Sequence, residues 1–390
     1  MSYRKSGAVA AIALAAALAA GPAAAQDTLK IGALVTLSGA GASWGQGMLE
    51  ATKLAAEDAN QKGGLEVGGK KYKVEVIQYD DGYQANQAVT AANRLVFEDK
   101  VKYIVGTVGS APILAIQPIT EKAGVITLTL GFTAKALSPD KPFTFRPNLT
   151  TTEISQAQIN WVVQKQGVKT VGALFPNDET GQQIAKDVAA AYEKAGAKMS
   201  AEFFERDRVD FVPLLTKLLA ANVDAIELDG NSPTTAGQIV QQARDIGFSG
   251  SIIRTGGPAT AEIVNVAGKQ AAEGLFVHAG LDMAVPSVKA YADRYQKAFN
   301  RTMNGFSPFF YDGVGMLFQA MQKAGTVEDS AKVKDALEGI AAYNGVIGEL
   351  KWTGKESYGI AHQIAAPFYV AQVKNGAETI VARCTITGCN

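Results

Sequence analysis

A serine in the segment GTVGSAP is the first candidate for chemistry in this chain of 390 residues. Ser110 follows the apolar run Tyr103-Ile104-Val105 and precedes a stretch with helical periodicity, so it lies at a predicted strand-to-helix junction. At such a junction a serine serves as a nucleophile, caps the helix, or helps backbone N–H groups to hold an anion. The rest of the sequence has to decide among these three roles.

Nucleophilic catalysis needs partners that the sequence does not offer. Serine hydrolases of the α/β type place the nucleophile in G-x-S-x-G, whereas Ser110 lies in V-G-S-A-P. The chain has 2 histidines, His278 and His362, and both fall within apolar strand-like segments, where we expect structural roles. Helix capping and anion binding remain, and the two roles use the same row of N–H groups. The sequence therefore predicts a protein without catalysis of its own.

Nucleotide and metal sites are disfavoured in the same way. The chain contains neither a G-x-x-x-x-G-K-[ST] loop nor an H-E-x-x-H motif or Cys/His cluster, so we predict no cofactor and no metal. The segment LSGAGASWG approaches the dinucleotide fingerprint, and Asp80 and Asp81 end the next predicted strand. Because Trp44 occupies the place of the last glycine, an NAD-dependent dehydrogenase is kept only as a remote alternative.

The amino-terminal residues predict export. Arg4 and Lys5 precede an apolar run, and the small residues Ala23-Ala24-Ala25 resemble a cleavage site. This pattern is typical of a signal peptide, here residues 1–25 with cleavage after Ala25, and predicts an exported protein. The remaining chain is nearly neutral and has no basic block, so nucleic acid is not an expected partner.

The elements that must position these residues alternate between strand and helix. From Leu29 to the segment VITLTL the pattern is β-α-β-α-β, and it restarts after FTFRPN. This order predicts an α/β fold with two doubly wound Rossmann-like units. The last third has helical segments without a sheet of their own, followed by antiparallel strand patterns with an Asn-Gly turn. Ligands of such sheets bind outside the carboxyl ends of the strands.

The two cysteines, Cys384 and Cys389, lie in the terminal segment CTITGC. In an oxidising compartment this spacing favours a disulfide that closes a small hairpin. Two free thiols are the alternative.

Several blocks of the sequence carry a family resemblance over nearly the whole chain after the leader. They include LKIGALVTLSGAGASWGQGMLEATKLAAEDANQKGG, YDDGYQANQAVTAANRLV, VGTVGSAPILAIQPITEKAGVITLTLGFT, GALFPNDETGQQIAKDV and AGQIVQQARDIG. In this order and spacing they resemble the branched-chain amino-acid-binding (Leu/Ile/Val-binding) family, the periplasmic substrate-binding proteins of ABC importers.

The resemblance implies a type I periplasmic binding protein with two lobes joined by three crossover strands. Lobe 1 would comprise residues 26–146 plus 276–347, and lobe 2 residues 147–275 plus 348–390, with hinges near 146–147, 277–278 and 348–349. It also implies a monomer that closes on its ligand and delivers it to an inner-membrane ABC permease with separate ATPase subunits.

The family pattern assigns ligand-binding roles to lobe 1. Ser110 matches the serine that receives the ligand carboxylate, and Thr133 matches a threonine that shares this role. Gly131 falls where backbone groups touch the ligand, and Trp44 matches an aromatic residue that closes over the site, with a core indole as its alternative. Further predicted site residues are Ala111, Phe132 and Phe306.

The chain departs from the family pattern on lobe 2. Thr180 and Asn231 stand where the family has tyrosines, and Gly257 stands where it has the glutamate that pairs with the ligand ammonium. Because a buried ammonium needs a carboxylate partner, we expect a carboxylate-bearing ligand without an α-ammonium, favouring an aromatic or related organic acid. A branched-chain amino acid or short amide is the alternative, and it requires Asp178, Glu227 or Asp229 to replace the missing glutamate.

Overall fold

The computed structural model of the protein describes residues 26–390. The predicted signal peptide lies outside the described residues. The first sheet has six strands in the spatial order β2-β3-β1-β4-β5-β6, and all of its pairings are parallel except that of β2 with β3. Its strands are β1 Asp27–Val35, β2 Leu65–Val67, β3 Lys70–Asp80, β4 Tyr103–Gly106, β5 Ile126–Leu128 and β6 Thr144–Phe145. The predicted parallel β-α-β-α-β unit is thereby confirmed.

Helices follow the strands of this sheet in the alternation that the sequence predicts. They are α1 Ala42–Gln61, α2 Ala85–Asn93 with a π-helical extension Arg94–Glu98, and α3 Ser110–Lys122, and short 3-10 turns cover Gly39–Gly41 and Ala134–Ala136. From Ile31 to Val35 every residue of β1 is buried, as expected for a parallel strand covered on both faces.

The second sheet has eight strands in the order β17-β16-β15-β11-β10-β9-β7-β8. Its parallel strands are β7 Thr170–Pro176, β8 Lys198–Phe204, β9 Ala225–Glu227, β10 Ser251–Arg254 and β11 Phe276–Ala279. Its antiparallel strands are β15 Phe368–Lys374, β16 Ala377–Thr385 and β17 Gly388–Cys389. The accompanying helices are α4 Thr151–Gln166, α5 Glu179–Lys194, α6 Val212–Leu219, α7 Pro233–Asp245, α8 Thr260–Ala267 and α9 Lys269–Ala272.

Two features of the antiparallel tail match the sequence-based expectation. Asn375 and Gly376 join β15 to β16 with φ values of 53° and 80°, the left-handed pair that a two-residue hairpin requires. Cys384 and Cys389 are opposite each other in β16 and β17 and form a disulfide, so the predicted pairing is confirmed.

The remaining helices pack onto the first unit. They are α10 Pro286–Phe299, α11 Ser307–Ala324 and α12 Ser330–Glu338, and α11 lies against α1. A small third sheet follows, with β12 Tyr343–Gly345, β13 Gly348–Thr353 and β14 Gln363–Ala365, and the short helix α13 Lys355–Tyr358 lies between its last two strands. Helices without a sheet of their own are therefore placed on an earlier sheet, as expected.

The chain passes between the two large sheets three times, after β6, after β11 and after β14. The sequence-based bounds assigned residues from 276 onward to lobe 1, but Val277 pairs with Ala371 and His278 with Val370. This pairing keeps all of β11 in the second sheet, so the crossing begins after Ala279.

Candidate ligand-binding cleft

A cavity of about 20 Å³ lies where the carboxyl ends of strands from the two large sheets meet. Its lining is mainly apolar and consists of Trp44, Tyr83, Val108, Leu130, Phe132, Thr180, Ile184, Asp229, Gly230, Gly257 and Phe306. A volume of this size accommodates about one water molecule. A larger groove of about 520 Å³ lies beside α1 and α11, away from these strand ends. The small cavity is the one that collects the predicted site residues.

Ser110 connects three loops of the cleft. Its N–H donates to Oγ1 of Thr180 across the cleft at 3.2 Å, and its Oγ accepts from the N–H of Thr133 at 3.1 Å. The predicted helix cap is wrong by one residue, because Gly109 has the extended backbone of an N-cap and Ser110 is the first helical residue. The hydroxyl is free to bind the neighbouring loop, while the N–H group stays at the helix N-terminus, where anions are stabilised.

The loop after β5 is held from behind by a buried arginine that the sequence analysis missed. Nη1 of Arg146 donates to the carbonyls of Gly131 and Thr133 at 2.9 and 3.0 Å, and its Nε donates to Gln363 at 2.6 Å. The N–H of Gly131 donates to Thr129, so both backbone groups of this glycine bind within the protein. Thr133 Oγ1 donates to Glu179 at 3.1 Å. Gly131 therefore supports the loop and does not present its backbone groups to the cavity.

Three aromatic residues form one side of the cavity. The ring centroids of Trp44 and Phe132 each lie 6.3 Å from that of Phe306, in edge-to-face arrangements. Aromatic rings prefer edge-to-face or offset-stacked neighbours, so this side of the cavity suits an aromatic ligand ring. The predicted grouping of these three residues is present, whereas the side chain of Ala111 is exposed and does not line the cavity.

Thr180 and Tyr83 form a polar bridge across the cleft. The hydroxyl of Tyr83 lies 3.0 Å from Oγ1 of Thr180 and accepts from Nη2 of Arg206 at 3.2 Å. Arg206 also pairs with Asp178, whose carboxylate caps α5 by accepting from the N–H of Gly181 at 2.9 Å. Asp178 is thus fully engaged as a helix cap and ion-pair partner.

Glu227 is engaged behind the cavity wall. Its carboxylate accepts from the hydroxyls of Tyr192 and Thr255 at 2.9 and 2.6 Å and from the N–H groups of Asp229 and Thr255 at 3.0 and 3.2 Å. Burial, together with the nearby Asp229 charge, raises the pKa of Glu227 to about 7, although these hydrogen bonds act in the opposite direction. Glu227 does not line the cavity.

Asp229 is the acidic candidate that lines the cavity. Its side chain is 1% exposed, and no donor among the described residues binds its Oδ2 atom. Burial raises the pKa of Asp229, whereas the Arg254 guanidinium and the backbone N–H groups of Gly230 and Gly256 act to lower it. Of the three candidates for the missing glutamate, Asp229 alone lines the cavity.

Arg254 occupies the space beside Gly257. Gly257 has a φ of +62°, and a Cβ atom there would lie 2.6 Å from Nη2 of Arg254. The guanidinium donates to the carbonyls of Gly256, Gly257 and Asn231, each at 2.9 Å, and lies 5.9 Å from the Trp44 ring. A cation therefore stands next to the position where the family pattern places a glutamate.

Asn231 supports this wall without reaching the cavity. Its side-chain amide donates to the carbonyls of Leu174 and Leu228 at 2.8 and 2.9 Å. Tyr83, Arg206 and Arg254 also contribute to the cleft, although no motif in the sequence indicates them. Arg254 had the clearest signal, since it is a charged residue at the carboxyl end of an apolar strand, in the segment SIIRT.

Comparison with known proteins decides the family. A family model described as "Periplasmic binding protein" matches residues 28–378. The chain belongs to this family.

Relatives of this periplasmic binding protein differ in the ligands that their names report. A leucine-, isoleucine-, valine-, threonine- and alanine-binding protein of Pseudomonas aeruginosa is 31% identical over 319 residues, which cover 80% of this chain and 83% of the relative. A solved Streptococcus pneumoniae branched-chain amino acid transporter substrate-binding protein in complex with isoleucine is 25% identical, with a TM-score of 0.79 and coverage of 92% and 99%. A solved Rhodopseudomonas palustris solute-binding protein in complex with 3,4-dihydroxybenzoic acid has a TM-score of 0.78, 23% identity and coverage of 93% and 98%.

These findings define the class of this periplasmic binding protein. It has the type I α/β fold and is a solute-binding receptor of the ABC importer type, which works with a membrane permease and a small-molecule ligand. Its relatives are binding proteins and not enzymes, so the dehydrogenase alternative has no support from the family. Within residues 26–390, no helix is long and apolar enough to cross a membrane.

Proposed function

We propose that this periplasmic binding protein captures a small carboxylate-bearing solute in the cleft, and that the favoured solute is an aromatic or related organic acid without an α-ammonium. The observation that carries this proposal is the position of Arg254, whose guanidinium stands where a side chain at Gly257 would lie. An α-ammonium next to that guanidinium would bring two positive charges together in a buried site. The aromatic wall of Trp44, Phe132 and Phe306 supports a ring as the apolar part of the ligand.

The carboxylate would bind at the N-terminus of α3. In the structure the Oγ1 atom of Thr180 accepts the N–H of Ser110, and this hydroxyl oxygen stands in for a ligand carboxylate oxygen. A ligand larger than the cavity has to displace Thr180, so binding requires the two lobes to separate and close again. The contacts that must break also include the ion pair of Lys135 with Glu179, whose atoms lie 2.9 Å apart.

We further propose two moving lobes with crossings near 146–150, 280–285 and 366–367; the first two are close to the bounds expected from the sequence, whereas the third follows the third sheet and not the expected 348–349. The closed, ligand-bound form would be recognised by an inner-membrane ABC permease with separate ATPase subunits. Export to the periplasm by cleavage after Ala25 is part of the same proposal, and a monomer is the expected form.

A branched-chain amino acid is the second candidate ligand. The observation that favours it is Asp229, which lines the cavity and whose buried Oδ2 atom has no donor among residues 26–390, so that it is able to accept from an ammonium. The amino-acid ligands in the names of several relatives point in the same direction.

A ligand panel tests the proposal. The purified mature protein would be titrated by calorimetry, after a thermal-shift screen, with benzoate, hydroxybenzoates, short aliphatic acids, leucine, isoleucine and NAD⁺. We expect an aromatic acid to give the largest shift and the lowest Kd. A largest shift with leucine or isoleucine would refute the interpretation of Gly257 and Arg254.

A further inference from the structure

The cavity contains two polar atoms that lack a partner, and they differ in chemistry. Among the cavity-lining residues that the structure describes, Nε1 of Trp44 is a donor without an acceptor and Oδ2 of Asp229 is an acceptor without a donor. The other cavity-lining hydroxyls, those of Tyr83 and Thr180, bind each other. Most buried polar groups in proteins have a hydrogen-bond partner. A donor and an acceptor that both lack a partner in a binding cavity therefore indicate positions that a ligand contacts.

Both residues, Trp44 and Asp229, border the cavity wall formed by residues 256 and 257. A Cβ atom at Gly256 would lie 2.7 Å from Oδ2 of Asp229, and one at Gly257 would lie 3.3 Å from Cζ2 of Trp44. Ser110, in contrast, reaches the cleft from the end of β4 in the other sheet. A ligand held by its carboxylate at Ser110 would direct its far end toward Asp229.

The geometry points to Asp229 as the residue that selects solutes with a hydroxyl group at the end opposite the carboxylate, so that the ligand class is a hydroxylated aromatic or related organic acid. This inference rests on the proposed function, because it assumes a carboxylate at Ser110 and a ring in the cavity. A hydroxyl donates to Asp229 and still accepts from a donor such as the Trp44 indole, whereas an ammonium only donates.

Charge balance favours a neutral donor over an ammonium. Arg254 is a buried cation in the same wall as Asp229; burial raises the pKa of the Asp229 carboxyl, and the Arg254 guanidinium acts to lower it. A ligand hydroxyl adds no further positive charge beside Arg254, whereas an ammonium would add a second cation to this buried site.

Calorimetric titrations with benzoate, 3-hydroxybenzoate, 4-hydroxybenzoate and leucine test the inference. For the native protein we expect at least one hydroxybenzoate to bind about 10- to 100-fold more tightly than benzoate, since a buried acceptor is otherwise left unpaired. Asp229→Leu should abolish this preference, so that the hydroxybenzoates and benzoate bind within about threefold of each other, because the acceptor is lost. Asp229→Asn keeps an acceptor oxygen and should retain most of the preference. Asp207→Asn, at an exposed position of the same lobe, is the matched control and should behave like the native protein.

The outcomes separate this inference from the proposed function. If benzoate and both hydroxybenzoates bind the native protein equally well, the role of Asp229 is overturned while the aromatic-acid function stands. If leucine alone binds, and Asp229→Asn abolishes that binding, the proposed function fails and Asp229 is an ammonium partner. Should Asp229→Leu not fold, the native preference and its retention in Asp229→Asn still decide the question.

Discussion

The two walls of the cleft are built from different chemistry. On the side of the first sheet, Ser110 and Thr133 offer N–H and hydroxyl groups without a formal charge, and Arg146 binds their loop from behind. On the side of the second sheet, Asp229 and Arg254 place buried charges at the cavity. The first wall suits any carboxylate, since it uses a helix N-terminus and backbone groups.

The second wall is where relatives with a common fold would differ in ligand. The charged side chains of this wall are positioned by contacts between residues that lie far apart in the chain. Replacing one charged side chain therefore changes which neighbouring polar group lacks a partner. The difference between the walls indicates two separate roles. The first wall binds the anionic group, and the second wall selects among ligands. Variants of each wall should therefore affect different properties of the protein.

The largest effect is expected from Arg254→Met. The substitution removes donors from three buried carbonyls and leaves Asp229 without its cationic neighbour, so we expect a loss of about 3 to 5 kcal/mol in the free energy of unfolding. Urea denaturation measures this loss. Arg208→Met, at an exposed position, is the control and should change stability by less than about 0.5 kcal/mol. Equal effects of the two substitutions would show that buried charge does not hold the second wall.

Gly257→Ala is expected to have the next largest effect. The new Cβ atom would lie 2.6 Å from Nη2 of Arg254, and the hydrogen bonds of that guanidinium prevent it from moving aside. The clash adds to the strain of a left-handed backbone, for a total loss of about 2 to 3 kcal/mol in unfolding free energy.

Gly167→Ala is the matched control for this variant. Gly167 has a φ of +66°, and a Cβ atom there would have no neighbour within 4 Å, so the substitution adds backbone strain of about 1 kcal/mol without a clash. The difference between the two variants measures how firmly Arg254 is held. No difference would mean that Arg254 moves freely and that the space beside Gly257 is open to a ligand group.

The structure explains why one wall was more predictable from sequence than the other. Ser110 and Thr133 follow consecutive strands of one parallel sheet, and strand ends of such a sheet meet at one edge, so local pattern was enough to bring them together. The one-residue error at the helix cap arose because Gly109 and Ser110 are both acceptable at an N-cap, and tertiary contacts with Thr133 decide between them.

The second wall depends on contacts between residues that lie far apart in the chain. Tyr83 meets Thr180 and Gln158 donates to the carbonyl of Arg254, across separations of 97 and 96 residues, and no periodicity predicts such pairs. Asn231 was expected to contact the ligand, but its side-chain amide donates to two carbonyls near the ends of β7 and β9. The family pattern placed these positions near the ligand, but only packing determines which side chains reach it.

Glu227→Gln should make the stability of the second wall less dependent on pH. Burial raises the pKa of Glu227 to about 7 from an ordinary value of 4.5, so between these values the folded state keeps a proton that the unfolded state has lost. The contribution of the Glu227 carboxyl to the free energy of unfolding is fully present below about pH 4.5 and is lost as the pH rises through about 7. Glutamine mimics the protonated form, since its oxygen accepts from the two N–H groups and its nitrogen donates to the two hydroxyls. At pH 8 we expect the variant to be about 2 kcal/mol more stable than the native protein.

Urea denaturation of both proteins from pH 5 to pH 8 checks this expectation. Tyr192→Phe removes one hydroxyl that binds Glu227 and leaves its charge, so it serves as a control that should keep a pH dependence like that of the native protein. Parallel pH profiles for Glu227→Gln and the native protein would show that Glu227 is ionised in the folded state throughout this range.

Ser110→Ala is expected to have the smallest effect, and one that is uniform across ligands. The substitution removes the acceptor for the Thr133 N–H and loosens the carboxylate site, while the Ser110 N–H itself remains. We expect each carboxylate ligand that binds the native protein to lose about 1 to 2 kcal/mol in binding free energy, a roughly five- to thirtyfold rise in Kd. Calorimetry with the ligand panel measures this change, and Ser138→Ala, which alters a loop serine that binds Asp140, should leave each Kd unchanged.

Because the first wall binds the group that all these ligands share, the ratio of hydroxybenzoate to benzoate affinity should stay within about threefold of the native ratio. A changed ratio would mean that Ser110 takes part in ligand selection and that the two walls are not separate in function.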